Sequence, residues 1–202
     1  EENSEFTNVG INTHTESLIE SINFYKKKLD IDIANPSSDK NLDSSIENLE
    51  KYDGLIWGGS SLNIYNDTEE IRRQIEFMRV CQSKIKKILA ICWGLQVAVT
   101  VAGGSVKKST TGAHRGIAHD IKINKEGIKH KIYKDKKIKF NSPAFNFDEV
   151  VKLPTGAILL SSNSLNNVMG LNFKTKTSDI WGIQYHPEIT YEKMVSLIHF
   201  RK

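Results

Sequence analysis

The sequence predicts an α/β protein in which a mostly parallel sheet is flanked by helices on both faces. Three observations carry this. Short apolar runs alternate with amphipathic stretches of helical length through the first half, the pattern of βαβ units. The run "ILAIC" passes directly into "WGLQVAVTVA", a strand entering a helix through a tight turn at Cys92. The length, 202 residues, suits one domain spanning 1–202 with a substantial core.

The elements follow in order. Leu18, Ile19, Ile22 and Tyr25 recur at helical spacing, so 15–29 reads as a helix. "IDIAN" (31–35) alternates as a short strand. "DSSIENLEKY" (43–52) reads as a short helix with Asp43 or Ser44 as its cap. "GLIW" (54–57) is a buried strand stopped by Gly58-Gly59. The stretch 67–84 opens with a capping residue and an acidic first turn, a helix start. Then come a strand at 87–92 and a helix at 94–102. Beyond Gly103-Gly104 the pattern changes to strands at 117–123, 157–163, 168–174 and 180–186, with a closing helix at 190–200. Parallel α/β folds ordinarily begin with a strand, whereas this sequence begins with the loop-like "EENSEFTNVGINTH". The first strand is therefore expected upstream of residue 1.

Composition narrows the function classes. Hydrophobic residues make up 39% and charged residues 26%, ordinary for a soluble globular protein. The net charge is +4, but lysines and acids are interspersed, so no basic stripe for nucleic acid is expected. No apolar run approaches a membrane span and no signal peptide is visible. Cys81 and Cys92 do not resemble a disulfide framework, which fits a reducing cytoplasm. His14, His114, His119, His130 and His199 have no metal-ligand spacing, so neither metal nor cofactor is expected.

The turn at Cys92 is where chemistry is expected. A sharp strand–helix turn projects one side chain at the carboxyl edge of a sheet and needs small neighbours two positions away. Ala90 and Gly94 occupy those positions. The positive end of the following helix favours a thiolate, and the Trp93 N–H can donate to a developing oxyanion. A base must lie within reach. In "GIQYHPEIT", Pro187 disfavours helix at His186, and in an extended segment His186 and Glu188 share a face, so the carboxylate can orient the imidazole. Gly58 and Gly59, after a buried strand, let a backbone approach a ligand closely and add a second oxyanion donor.

With these residues in hand, the chain resembles the class I glutamine amidotransferases. "AICWGLQ" is similar to their Gly-x-Cys-x-Gly-x-Gln elbow, "HPE" matches their His-Pro-Glu, and "WGGS" resembles their Gly-Gly-Pro oxyanion loop. "FDEVVKLPTGAILLSSN" resembles a segment of free-standing members related to the glutaminase domain of GMP synthase. The resemblance implies a flavodoxin-like architecture and attack by Cys92 on the side-chain amide of L-glutamine. It further implies that Gly59 and Trp93 hold the oxyanion, His186 protonates the departing ammonia, Glu188 orients His186, and Gln96 contacts the substrate. The implied partner is an ammonia-accepting synthetase on a separate chain. The alternative is a free-standing γ-glutamyl hydrolase or peptidase acting on a γ-glutamyl amide with the same three residues. Three positions depart from the family pattern: Ala90 for glycine, Ser60 for proline, and "FNSPAFNFDEV" where relatives carry a Ser-His or Asn-His-Gly segment.

Overall fold

The structure, a computed structural model, describes residues 6, 8, 10–25, 29–38 and 48–200. The helices among them are α1 (His14–Tyr25), α2 (Glu69–Lys84), α3 (Trp93–Val101), α4 (Lys125–Lys129) and α5 (Tyr191–Phe200). The strands are β1 (Leu55–Trp57), β2 (Lys87–Ile91), β3 (Ser105–Lys108), β4 (His114–Ile123) and β5 (Lys139–Asn146), then β6 (Asp148–Lys152), β7 (Ile158–Ser162), β8 (Gly170–Lys174) and β9 (Asp179–Ile183). Seven of these form one sheet in the order β1-β2-β9-β8-β7-β4-β5, while β3 and β6 pair as a separate antiparallel ribbon.

The α/β architecture is as expected, and its parallel part is local. β1, β2 and β9 run parallel; from β9 outward to β5 every pairing is antiparallel. The sheet is therefore mixed, with the loops that follow β1, β2 and β9 all at the carboxyl edge of the parallel part. α3 packs behind β1, β2 and β9, and α2 packs on α3. α2 has the acidic first turn its sequence promised, Glu69 and Glu70, but starts two residues later than expected, with Thr68 at the N-cap position making no side-chain cap hydrogen bond; Lys84 lies in the last turn, and Ile71, Phe77, Met78 and Cys81 are buried. Together with Ile88, Ile180, Leu171 and Phe173 they form the larger core. The opposite face buries Ile91, Ile121, Leu160, Met169 and Tyr185, with Leu18 of α1 against them. α3 ends where Gly103 takes a left-handed φ of 81°, and the Gly104 N–H closes the turn on the Val99 carbonyl.

Three expectations are corrected. Residues 31–35 form no strand; Ile33 is 65% exposed. Their alternation is real, but a strand exists only with a ladder partner, and among the described residues they have none. The helix expected at 43–52 lies outside the described residues over 43–47, and the rest contains a single 3₁₀ turn at Leu49–Lys51. Strands β3, β5 and β6 come in addition to those expected: β3 and β6 are short and lysine-bearing, and Pro143 interrupts the strand signal of β5. β5 closes the sheet as an edge strand, the place where proline is tolerated.

Candidate active site

Three neighbouring parallel strands deliver three loops to one edge. β1 leads into Gly58-Gly59, β2 into Cys92, and β9 into Gln184–Glu188. The β2–β9 ladder continues one step beyond the strands, since the Cys92 N–H donates to the Ile183 carbonyl at 2.7 Å. Cys92 has φ 51° and ψ −102°, a conformation that non-glycine residues avoid. The elbow is locked from three sides. The Gly94 N–H donates to the Gly58 carbonyl at 3.2 Å, tying elbow to glycine loop. A Cβ on Gly94 would stand 2.4 Å from the Trp57 carbonyl oxygen, so the need for a small residue there is set by β1 itself. Trp93 Nε1 donates to Gln74 of α2 at 2.7 Å. The Trp93 backbone N–H, first in α3, has no acceptor within the helix.

His186 and Glu188 meet as expected, but by a different backbone route. β9 ends at Ile183, and the pair closes across a turn in which the Ile189 N–H reaches the His186 carbonyl, with Pro187 and Glu188 at its centre. His186 Nδ1 lies 2.6 Å from Glu188 Oε1, both side chains buried. Burial opposes charge on the imidazole, but the negative charges of Glu188 and Cys92 and the hydrogen bonds to both outweigh it and lift the His186 pKa to about 10. Burial likewise opposes charge on Glu188, yet His186 pulls its pKa down.

Several members of the site had no signal in the local sequence. Gln184 Nε2 donates to Cys92 Sγ at 3.4 Å. The Phe145 carbonyl of β5 lies 3.7 Å from the same sulfur. His14, at the start of α1, stacks on His186 with ring centroids 6.2 Å apart. Asp148 is buried, yet its carboxylate lines the site, accepting from Asn63 Nδ2 at 2.8 Å and Tyr65 OH at 3.0 Å. His14, Phe145 and Asp148 line, with Cys92, Gln96 and His186, a cavity of about 520 Å³. Among the described residues no three His, Cys, Asp or Glu are grouped to hold a metal ion, and no helix is long and apolar enough to cross a membrane.

The two thiols differ sharply. Cys81 is free and fully buried in the α2 core, where burial pushes its pKa up to about 12; Cys92 is also free but borders the cavity. Iodoacetamide is expected to alkylate Cys92 well before Cys81, as read by peptide mass spectrometry over time. Modification of Cys81 first in the native protein would contradict this assignment.

Residues 12–202 match the family model described as glutamine amidotransferase class-I. The chain belongs to the class I glutamine amidotransferase family. Among curated relatives, it is 32% identical over 145 residues to a γ-glutamyl-L-1-hydroxyisopropylamide hydrolase of Pseudomonas sp, covering 70% of this chain and 49% of that one. It is 29% identical over 147 residues to a glutamine-hydrolyzing GMP synthase subunit of Sulfurisphaera tokodaii, covering 72% of each. The chain thus spans about half the length of the hydrolase. Among solved structures, a glutamine amidotransferase from Thermotoga maritima superposes with a TM-score of 0.71 at 19% identity, covering 90% of this chain and 74% of that one. At that identity the likeness concerns the fold, and the shared fold is that of the class I amidotransferases.

Proposed function

We propose that this amidotransferase-family chain hydrolyses γ-glutamyl amides, L-glutamine being the simplest, through Cys92, His186 and Glu188. The observation that carries the reading is the buried His186, held as an imidazolium between Glu188 and Cys92 at the carboxyl edge of the parallel strands. In the proposed cycle the Cys92 thiolate attacks the γ-carbonyl carbon. The Gly59 and Trp93 N–H groups stabilise the oxyanion. The tetrahedral adduct collapses to a γ-glutamyl thioester as His186 Nε2 gives its proton to the departing nitrogen. Neutral His186 then takes a proton from water, whose oxygen attacks the thioester, releasing glutamate and restoring the thiolate and imidazolium. Glu188 accepts from Nδ1 throughout, fixing the tautomer. Asp148, a buried carboxylate with two neutral donors and no ion pair among the described residues, suits the α-ammonium of the glutamyl group. Residues 1–202 are read as a single unit of this kind.

Two substrate classes fit. A substituted γ-glutamyl amide is favoured by a cavity roomier than one amino acid fills, and by likeness to proteins named γ-glutamyl-L-1-hydroxyisopropylamide hydrolase and γ-glutamyl peptidase. The second reading, a glutaminase supplying ammonia to a synthetase on another chain, is supported by likeness to the Sulfurisphaera GMP synthase subunit. The deciding experiment incubates purified protein with glutamine and with a panel of γ-glutamyl amides, measuring ammonia, amine and glutamate. Rapid release of amine, with glutamine a poor substrate, selects the hydrolase. Slow glutamine turnover that a separate synthetase accelerates selects the amidotransferase.

Glu188→Gln should expose the electrostatics. In the wild type the alkaline limb of kcat/KM is expected near pH 10, because the imidazolium donor is lost only there. Removing the Glu188 charge removes the largest influence raising that pKa. The limb should move down by roughly 1–3 pH units in the variant. An unmoved limb would show that another group controls it.

A further inference from the structure

The cavity around Cys92 carries two lining charges beyond those of the nucleophile and its base, and they are opposite: Asp148 and Arg115. We infer that Arg115 is a specificity-determining residue that binds the α-carboxylate of the γ-glutamyl substrate. The inference rests on the hydrolase or glutaminase reading above, and identifies which group in the cavity wall recognises the glutamyl end.

Backbone register sets the position. Arg115 of β4 pairs with Phe145 of β5, and the Phe145 carbonyl is the one that faces Cys92 Sγ. Arg115 and Phe145 stand opposite each other across the β4–β5 pair and both line the cavity that holds Cys92, with Arg115 at its exposed rim. Its guanidinium lies 5.3 Å from the centre of the Phe147 ring, which holds the plane without using its N–H donors. Among the described residues no carboxylate forms an ion pair with Arg115. Asp148, though it borders the same cavity, spends its oxygens on Asn63 and Tyr65. The two charges thus line one space without neutralising each other.

A γ-glutamyl group answers that arrangement. Its α-carbon stands two methylenes from the carbonyl under attack and carries one ammonium and one carboxylate. The ammonium matches Asp148. The carboxylate needs a cation with paired donors. Arg115 is a permanent cation and its planar fork suits bidentate binding. Two other basic groups in the lining, His114 and His186, are less suited. Burial lowers the pKa of His114, which is held between Asn146 and Asn163. The charge of His186 is directed at Glu188 and Cys92.

The test compares wild type, Arg115→Lys and Arg115→Gln on γ-L-glutamyl-p-nitroanilide and on the same anilide with its α-carboxylate converted to a carboxamide. With the α-acid, Arg115→Gln is expected to lose about 10–100-fold in kcat/KM, mainly through KM, with partial recovery in Arg115→Lys. With the α-amide, wild type and Arg115→Gln are expected to agree within about twofold, which also reports that the variant is folded. Equal losses on both substrates would assign Arg115 to the cavity wall alone. A loss confined to substrates with an anionic leaving amine, such as γ-glutamylglycine, would place Arg115 at the leaving group; either result overturns the inference. Absence of turnover by wild type on every γ-glutamyl amide would instead overturn the functional reading, and the role of Arg115 with it.

Discussion

Cys92→Ala is expected to lose at least about 10⁴-fold in kcat/KM on any γ-glutamyl amide while keeping the wild-type fold. The loss follows from chemistry: the second thiol is buried in the core packed around α2 and cannot take over the attack. The fold should survive because alanine keeps the Cβ packed in the cluster around Ile91 and gives up long contacts of the sulfur, 3.7 Å to the Phe145 carbonyl and 3.4 Å from Gln184, together with its hydrogen bond to His186 at the cavity wall. Backbone strain sharpens the test. At φ 51° and ψ −102°, any L-residue at position 92 is strained by about 1–3 kcal/mol. Cys92→Gly removes the Cβ and with it that strain, although glycine costs some chain entropy. The glycine variant should therefore be more stable than the alanine variant by about 1 kcal/mol in urea melts, and equally inactive. A glycine variant less stable than alanine would mean that the turn is not strained as its dihedrals indicate.

Much of this site can be read from the sequence because its parts are local. A cysteine between a strand and a helix, with Ala90 and Gly94 around it, states its own geometry. So do Gly58-Gly59 after a strand, and His186 two residues before Glu188. The fold supplies what local pattern lacks, namely the adjacency of β1, β2 and β9, which places all three loops on one edge. The residues that sequence reading missed are those whose role is created by long-range pairing. Arg115 stays an exposed cation in the structure, and only the pairing of β4 with β5 brings it to the rim of the cavity. Asp148 looks like an ordinary acid until Asn63 and Tyr65, more than 80 positions away, close on it. Gln184 reads as a polar residue at a strand end, yet its amide donates to Cys92 Sγ. Residues 31–35 err in the other direction. Alternation of Ile31 and Ile33 promises a strand, but β-structure is a property of a pair, and the pattern of one segment cannot supply its neighbour.

Gly59→Ala is expected to cost about 10²–10³-fold in kcat with little change in stability. Gly59 does not need a left-handed backbone, as its φ is not positive. It needs space: a Cβ there would stand 2.8 Å from His186 Cε1. The imidazole cannot retreat freely, being held at 2.6 Å by Glu188 on one side and stacked against His14 on another. Either the ring or the glycine loop must shift by a few tenths of an ångström. The two routes are separable. If the ring moves, its alignment with Cys92 suffers, and iodoacetamide alkylation of Cys92 slows along with kcat. If the loop moves, the Gly59 N–H leaves the oxyanion while the thiolate–imidazolium pair stays intact, so kcat falls and alkylation does not. A variant with wild-type kcat would show that the packing of the Gly59 backbone against the His186 ring has no part in catalysis.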